Sequence, residues 1–128
     1  MISVKSMPKS SKPIICICGS RSITNLNLDF YLNPHDYSEV VSGGANGVDT
    51  IAEQWAKRNG LEFAAFLPQY HIYGGKYAPL KRDEDLVAYC DVVVAFWDGK
   101  SSGTKYTIEF AKKLGVPVKL HLIEDLDI

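Results

Sequence analysis

The sequence predicts an α/β fold, a single Rossmann-like domain of about five parallel strands with helices on both faces. Three observations predict it. Short apolar runs alternate with amphipathic stretches along the 128 residues, which is how βαβ units read. The apolar runs are continuous, as in strands buried on both faces. Several end in glycine-rich turns that lead straight into a helical pattern.

Residues 14–18 (IICIC) form the first run and stop at Gly19. Residues 39–42 (EVVS), ending at Gly43-Gly44, predict a second strand, and residues 61–67 (LEFAAFL), ending at Pro68, a third. Residues 91–97 (DVVVAFW) are the clearest strand. Residues 116–122 (VPVKLHL) predict a fifth, with Pro117 tolerable only at its start or on an edge. Between them, Val48, Ile51, Ala52 and Trp55 make one apolar stripe at helical spacing over residues 47–59, and Gly60 is the stop signal. Asp49, Glu53 and Lys57 share a neighbouring face. Residues 80–89 predict a shorter helix and residues 104–114 another, stopped by Gly115. Residues 24–36 read ambiguously, as an irregular helix at best.

Length supports one domain with one core. Apolar residues make up 46% and charged residues 23%, an ordinary globular balance. A formal net charge of −1 argues against a broad nucleic-acid or membrane surface. No apolar run approaches the ~20 residues of a membrane span. The start, MISVKSMPKSSKP, is basic but lacks the apolar stretch and cleavage site of a secretory signal. It reads as a flexible leader over residues 1–13, with Met7 an internal candidate start, before a domain over 14–128; the expected location is cytoplasmic. Three cysteines, Cys16, Cys18 and Cys90, make no disulfide framework. Cys16 and Cys18 fall on one strand face and read as small core residues; with His35, His71 and His121 scattered, no metal site is expected.

The chemistry gathers at strand ends. In an open parallel sheet, ligands bind outside the carboxyl ends of the strands, where strand order switches. The first strand ends in Gly19-Ser20-Arg21, the second in Ser42-Gly43-Gly44-Ala45-Asn46-Gly47, and the fourth in Asp98-Gly99-Lys100-Ser101-Ser102-Gly103-Thr104. Glycines admit close approach of backbone to ligand. Helix N-termini at Gly47 and Thr104 offer unpaired N–H groups suited to phosphate. Arg21 and Arg82 add charge-assisted contacts. Ordinary structural roles compete: Asn46 as an N-cap with Asp49 as its capping-box partner, and Arg82 as part of a solvated charged helix face. GKSS at 99–102 is no P-loop, because Val94 stands where that motif needs glycine. The dinucleotide fingerprint G-x-G-x-x-G is absent after the first strand, which disfavours an NAD oxidoreductase.

The set of Gly19-Ser20-Arg21, SGGANGVDTIAEQWA and AFWDGKSSGTKYTIEFA resembles the SLOG superfamily, and more narrowly its YspA group related to YpsA-like proteins. Tyr73-Gly74, Ala78-Pro79 and Arg82 match that group's segment before the fourth strand, with Asp83 replacing its usual asparagine. The middle stretch is similar to the Rossmann domain of DprA, and the last to the Gly-Thr loop of the Lonely Guy phosphoribohydrolases and lysine decarboxylase-like proteins.

The resemblance implies a homodimer that binds, senses or processes a nucleotide-derived ligand such as a nucleoside monophosphate, NAD or ADP-ribose. Phosphate would sit on Gly43–Gly47 and Ser101–Thr104, with Tyr70, Tyr73 or Trp97 stacking on a base. The alternative is an N-glycosidic hydrolase, for which Asp49, Asp98 and Glu109 are the candidate carboxylates. Thr107 stands where the Lonely Guy enzymes carry glutamate, and Glu109 lies about 200° further round the helix. A DprA-like nucleic-acid role is the third reading, disfavoured by the net charge.

Overall fold

The computed structural model describes residues 12–124; the leader predicted over residues 1–13 falls almost wholly outside them. Five strands form one parallel sheet in the order β3-β2-β1-β4-β5. They are β1 (Ile14–Gly19), β2 (Glu39–Ser42), β3 (Glu62–Ala65), β4 (Val92–Trp97) and β5 (Val118–Leu122). Three helices accompany them: α1 (Val48–Arg58), α2 (Tyr70–Tyr89) and α3 (Ser102–Leu114). The chain winds outward from β1 through β2 to β3, then returns to lay β4 on the other side of β1. The switch in strand order therefore falls between β1 and β4.

Alternation along the strands divides the core in two. Ile15 and Ile17 of β1 join Val40, Val94 and Phe96 against Val48, Ala52 and Trp55 of α1. Cys16 and Cys18 face the other way, with Val41, Val93 and Ala95, against Leu86 and Val87 of α2 and Ile108 and Ala111 of α3. Helices thus cover both faces. The three thiols, Cys90 included, are buried in this second layer, where their mutual contacts and burial push the Cys16 thiol up. Among the described residues, no helix is long and apolar enough to cross a membrane, and no three His, Cys, Asp or Glu side chains are placed to hold a metal.

The boundaries differ from expectation where tertiary contacts decide them. The third strand spans 62–65 instead of 61–67, and the fifth begins at Val118, leaving Pro117 outside. Residues 24–36 resolve into two 3-10 turns, Leu28–Phe30 and Pro34–Asp36, each started by an asparagine side chain (Asn27, Asn33) accepting a backbone N–H. The first is tied to α1 by the Trp55 indole N–H, which donates to Asp29 Oδ1 at 2.8 Å. The helix expected over 80–89 starts ten residues earlier. Its first turn closes on the Gln69 carbonyl, breaks at Gly74 (φ 82°, ψ 171°) and resumes through Pro79. The hydrophobic period is lost across that break. α3 begins at Ser102, not Thr104, because Ser101 is its N-cap.

Two glycines permit the close approach of β1 and α1. A Cβ on Gly19 would lie 2.4 Å from the Phe96 carbonyl oxygen and 2.6 Å from the Val48 side chain. Gly47 caps α1 at φ 77°, with its missing Cβ 2.6 Å from the Arg21 carbonyl oxygen. Gly19→Ala is therefore expected to cost about 1–3 kcal/mol through overpacking against backbone. Urea denaturation measures this, and an unchanged midpoint would refute so close a contact.

Candidate functional site

β1 and β4 stay paired to their carboxyl ends, with Gly19 opposite Phe96, and beyond those ends lies a cleft of about 560 Å³. Gly19, Arg21 and Ser22 line it from the end of β1, Ala45 and Asp49 from the β2–α1 turn, and Asp98 from the end of β4. The start of α3 adds Ser101, Ser102, Gly103, Thr104 and Thr107. Lys76, Pro79, Leu80, Arg82 and Asp83 of α2 close the remaining side. The N-termini of α1 and α3 both open on this cleft, which gives it two sources of partial positive charge.

Carboxylates hold the surrounding loops in shape. Asp98 Oδ1 accepts the N–H groups of Lys100 (2.8 Å) and Ser101 (2.9 Å), and Oδ2 accepts the Ser22 hydroxyl (2.9 Å). Those bonds favour the ionised form and lower its pKa to about 2. The Asp98 N–H in turn donates to Ser20 Oγ. Asp49 is buried, and its Oδ2 accepts the Ala45 N–H at 3.0 Å. Burial raises its pKa, and that hydrogen bond and the nearby Arg82 charge oppose the rise.

Arg82 is the cation at the centre. Its side chain is only 12% exposed, as is that of Asp83, whose Oδ1 accepts from Arg82 Nε at 2.7 Å. Nη1 donates to the carbonyl oxygens of Gly43 and Phe66. The guanidinium thus binds α2 to the β2–α1 turn and to the end of β3. Burial raises the Asp83 pKa as well, and Arg82 is the main opposing influence. Ser42 Oγ, wholly buried beneath this cluster, has no hydrogen-bond partner among the described residues.

The family model described as "YspA, cpYpsA-related SLOG family" matches residues 13–73. The Gene 61 protein of Mycobacterium phage D29 is 39% identical over 84 residues, spanning 62% of this chain and 67% of the phage protein. The chain belongs to the YspA, cpYpsA-related SLOG family. Its fold is also that of DNA processing protein A (DprA) from Streptococcus pneumoniae, with a TM-score of 0.72 at 19% identity. The alignment covers 90% of this chain and 52% of that one, so the present chain spans about half the length of the DprA structure. These links give this SLOG chain its family and its fold.

Within this SLOG domain the sequence-predicted residues separate into three groups. Gly19, Arg21, Asp49, Arg82, Asp98, Ser101, Ser102, Gly103 and Thr104 line the cleft. Ser20, Ser42, Gly43, Gly44, Asn46 and Gly47 shape the loops behind it. Asn46 caps nothing: Gly47 is the α1 N-cap and has no side chain to offer. Asp49 turns to the loop, leaving Glu53 to pair with Lys57 at 2.8 Å. Arg82 is no solvated helix residue, because its donors face the Asp83 carboxylate and the backbone carbonyls of Gly43 and Phe66. Trp97 donates to the Ser101 carbonyl at 2.9 Å and joins the core, and Tyr70 is exposed and lines neither larger cavity. Tyr73 lines a neighbouring cavity. Glu109 is exposed, whereas Thr107 reaches the cleft. Sequence reasoning missed Lys76, Asp83 and Thr107. Thr107 stands three residues after Thr104 on the same helix face, a readable signal; Lys76 precedes a helix start that no periodicity marked.

Two outcomes test this description. Arg82→Ala strands two carbonyls and two buried carboxyls, so a loss of about 3 kcal/mol is expected in denaturant unfolding; a loss below 1 kcal/mol would show that the clamp is only a surface contact. The pKa of Asp98 is depressed in the folded state, so its stabilisation is present above the ordinary carboxylate range and lost as pH falls through about 2. Asp98→Asn should flatten the decline in stability between roughly pH 4 and 2, and identical pH profiles would count against it.

Proposed function

We propose that this chain binds a nucleotide-derived ligand in the cleft beyond the carboxyl ends of β1 and β4, with a phosphate directed at the first turn of α3. The observation that carries this reading is the convergence of two helix N-termini and one unengaged arginine on a single cleft at the switch point. Asp98 and Ser101 already take the N–H groups of Lys100, Ser101 and Thr104. The N–H groups of Ser102 and Gly103 have no intrahelical partner, and a Cβ on Gly103 would meet nothing within 4 Å. Arg21 makes no ion pair or side-chain hydrogen bond among the described residues, and it is exposed at the cleft mouth. The tight contact of its backbone with Gly47 sets where the side chain starts. A nucleoside monophosphate, NAD and ADP-ribose all carry the required phosphate.

One observation favours a second reading, hydrolysis of an N-glycosidic bond. Asp49 and Asp83 both line the cleft, and burial raises the pKa of each against the opposing charge of Arg82. A protonated acid beside a sugar can assist departure of a base. Asp98, held ionised, is unsuited to donate a proton.

Thermal unfolding with nucleotides tests the first reading. Ligand at ~100 times its Kd stabilises the fold by about 2.7 kcal/mol. Arg21→Ala should weaken binding roughly tenfold by removing a charge-assisted contact, with the unliganded midpoint unchanged. No shift with any nucleotide sinks the reading. Free base released by the wild type but not by Asp83→Asn, with binding retained, would establish the second reading; no release by the wild type dismisses it.

A further inference from the structure

A second cavity, of about 340 Å³, lies on the far side of Arg82 from the cleft. Its floor is the end of β3 and the chain beyond it, Ala65, Phe66 and Leu67, and its opposite wall is Tyr73 with Lys81 and Gln69. Building on the cleft reading above, we infer that this cavity is the base subsite: a planar heteroaromatic base seats between Tyr73 and Leu67 while its phosphate lies in the cleft.

The break in α2 makes the cavity. Gly74 at φ 82° ends the first turn and lets the helix resume in a new direction, which stands Tyr73 beside the end of β3. Tyr77 steadies the ring edge-on at 5.7 Å. Lys81 Nζ sits 6.0 Å from the Tyr73 ring centroid and is held by Asp85 at 2.9 Å. Tyr73 and Leu67 nevertheless remain substantially exposed. An aromatic ring fixed from one side and open on the other is a stacking platform.

The polar groups at the rim suit a base edge. Gln69 stands at the N-cap of α2, yet its amide caps no N–H and has no partner among the described residues, so donor and acceptor are both available. β3 is an edge strand. The Phe66 N–H turns inward to the Ser42 carbonyl, so alternation turns the flanking backbone groups of Ala65 and Leu67 outward. Asp85, the carboxylate that lines this cavity among the described residues, is bound to Lys81. Arg82 lines both cavities, so one ligand bridging them crosses its guanidinium with the sugar.

The test compares ligands with and without a base. Isothermal titration with the four ribonucleoside 5′-monophosphates and with ribose 5-phosphate is run on wild type, Tyr73→Ala and Tyr73→Phe. At least one nucleotide should bind more tightly than ribose 5-phosphate. Tyr73→Ala should weaken that nucleotide about tenfold, in line with loss of one base stack, and leave ribose 5-phosphate unchanged. Tyr73→Phe should retain wild-type affinity. Equal binding of sugar phosphate and nucleotides, or a Tyr73→Ala loss common to both, would overturn the base subsite and leave the cleft reading standing. No binding of any of the five would overturn both.

Discussion

A buried guanidinium must satisfy its donors locally, and the way Arg82 does so organises the carboxyl edge of this sheet. It reaches from α2 to the carbonyls of Gly43 and Phe66 and pairs with Asp83. Those contacts hold three segments that the sheet alone would leave independent: the turn before α1, the chain leaving β3, and the middle of α2. With water largely excluded, removing the cation would leave uncompensated polar groups on every side. The same side chain divides the space at the sheet edge, with the cleft on one side and the smaller cavity on the other. Gly43 fits this arrangement because a Cβ there would lie 2.9 Å from Arg82 Nη1.

Around that clamp, loop carboxylates and loop glycines have separate tasks. Asp98 and Asp49 take N–H groups of their own turns, which shapes the loops before any ligand arrives. Gly19 and Gly47 allow β1, α1 and Arg21 to crowd together. What remains open is narrow: the first turn of α3, the Arg21 side chain and the polar floor formed by Asp49, Asp83 and Thr107. A site assembled this way is preorganised, since its walls are held by contacts that do not involve the ligand.

Much of the fold was legible because burial on both faces leaves a plain mark. IICIC and DVVVAFW are continuous apolar runs, and both are central strands. The α1 stripe of Val48, Ala52 and Trp55 is wholly buried. Signals weakened where the physical cause was not local. The first half of α2 carries no apolar period, because Gly74 redirects it and its side chains stay exposed. The strand assigned to 61–67 stops at Ala65, since β2 ends at Ser42, whose carbonyl accepts the Phe66 N–H as the last bond of that pairing. In the site, loop glycines and hydroxyl residues announced a cleft, but residue type alone could not separate Asp98, engaged by its own loop, from Asp83, which faces the cleft.

The sequence by itself determined the alternation of strands and helices, the apolar character of both sheet faces and the glycine-rich strand ends, because each depends on local periodicity and on backbone freedom at single positions. Only the tertiary structure decided that Arg82 clamps backbone where sequence suggested a ligand contact, that Asp83 and Thr107 join the cleft, and that Glu109 does not. Those outcomes depend on which groups come together across elements far apart in the chain, such as Gly43 with Arg82 and Ser22 with Asp98. Desolvation and hydrogen bonding at such meetings, not the identity of any one residue, set what each side chain is left free to do.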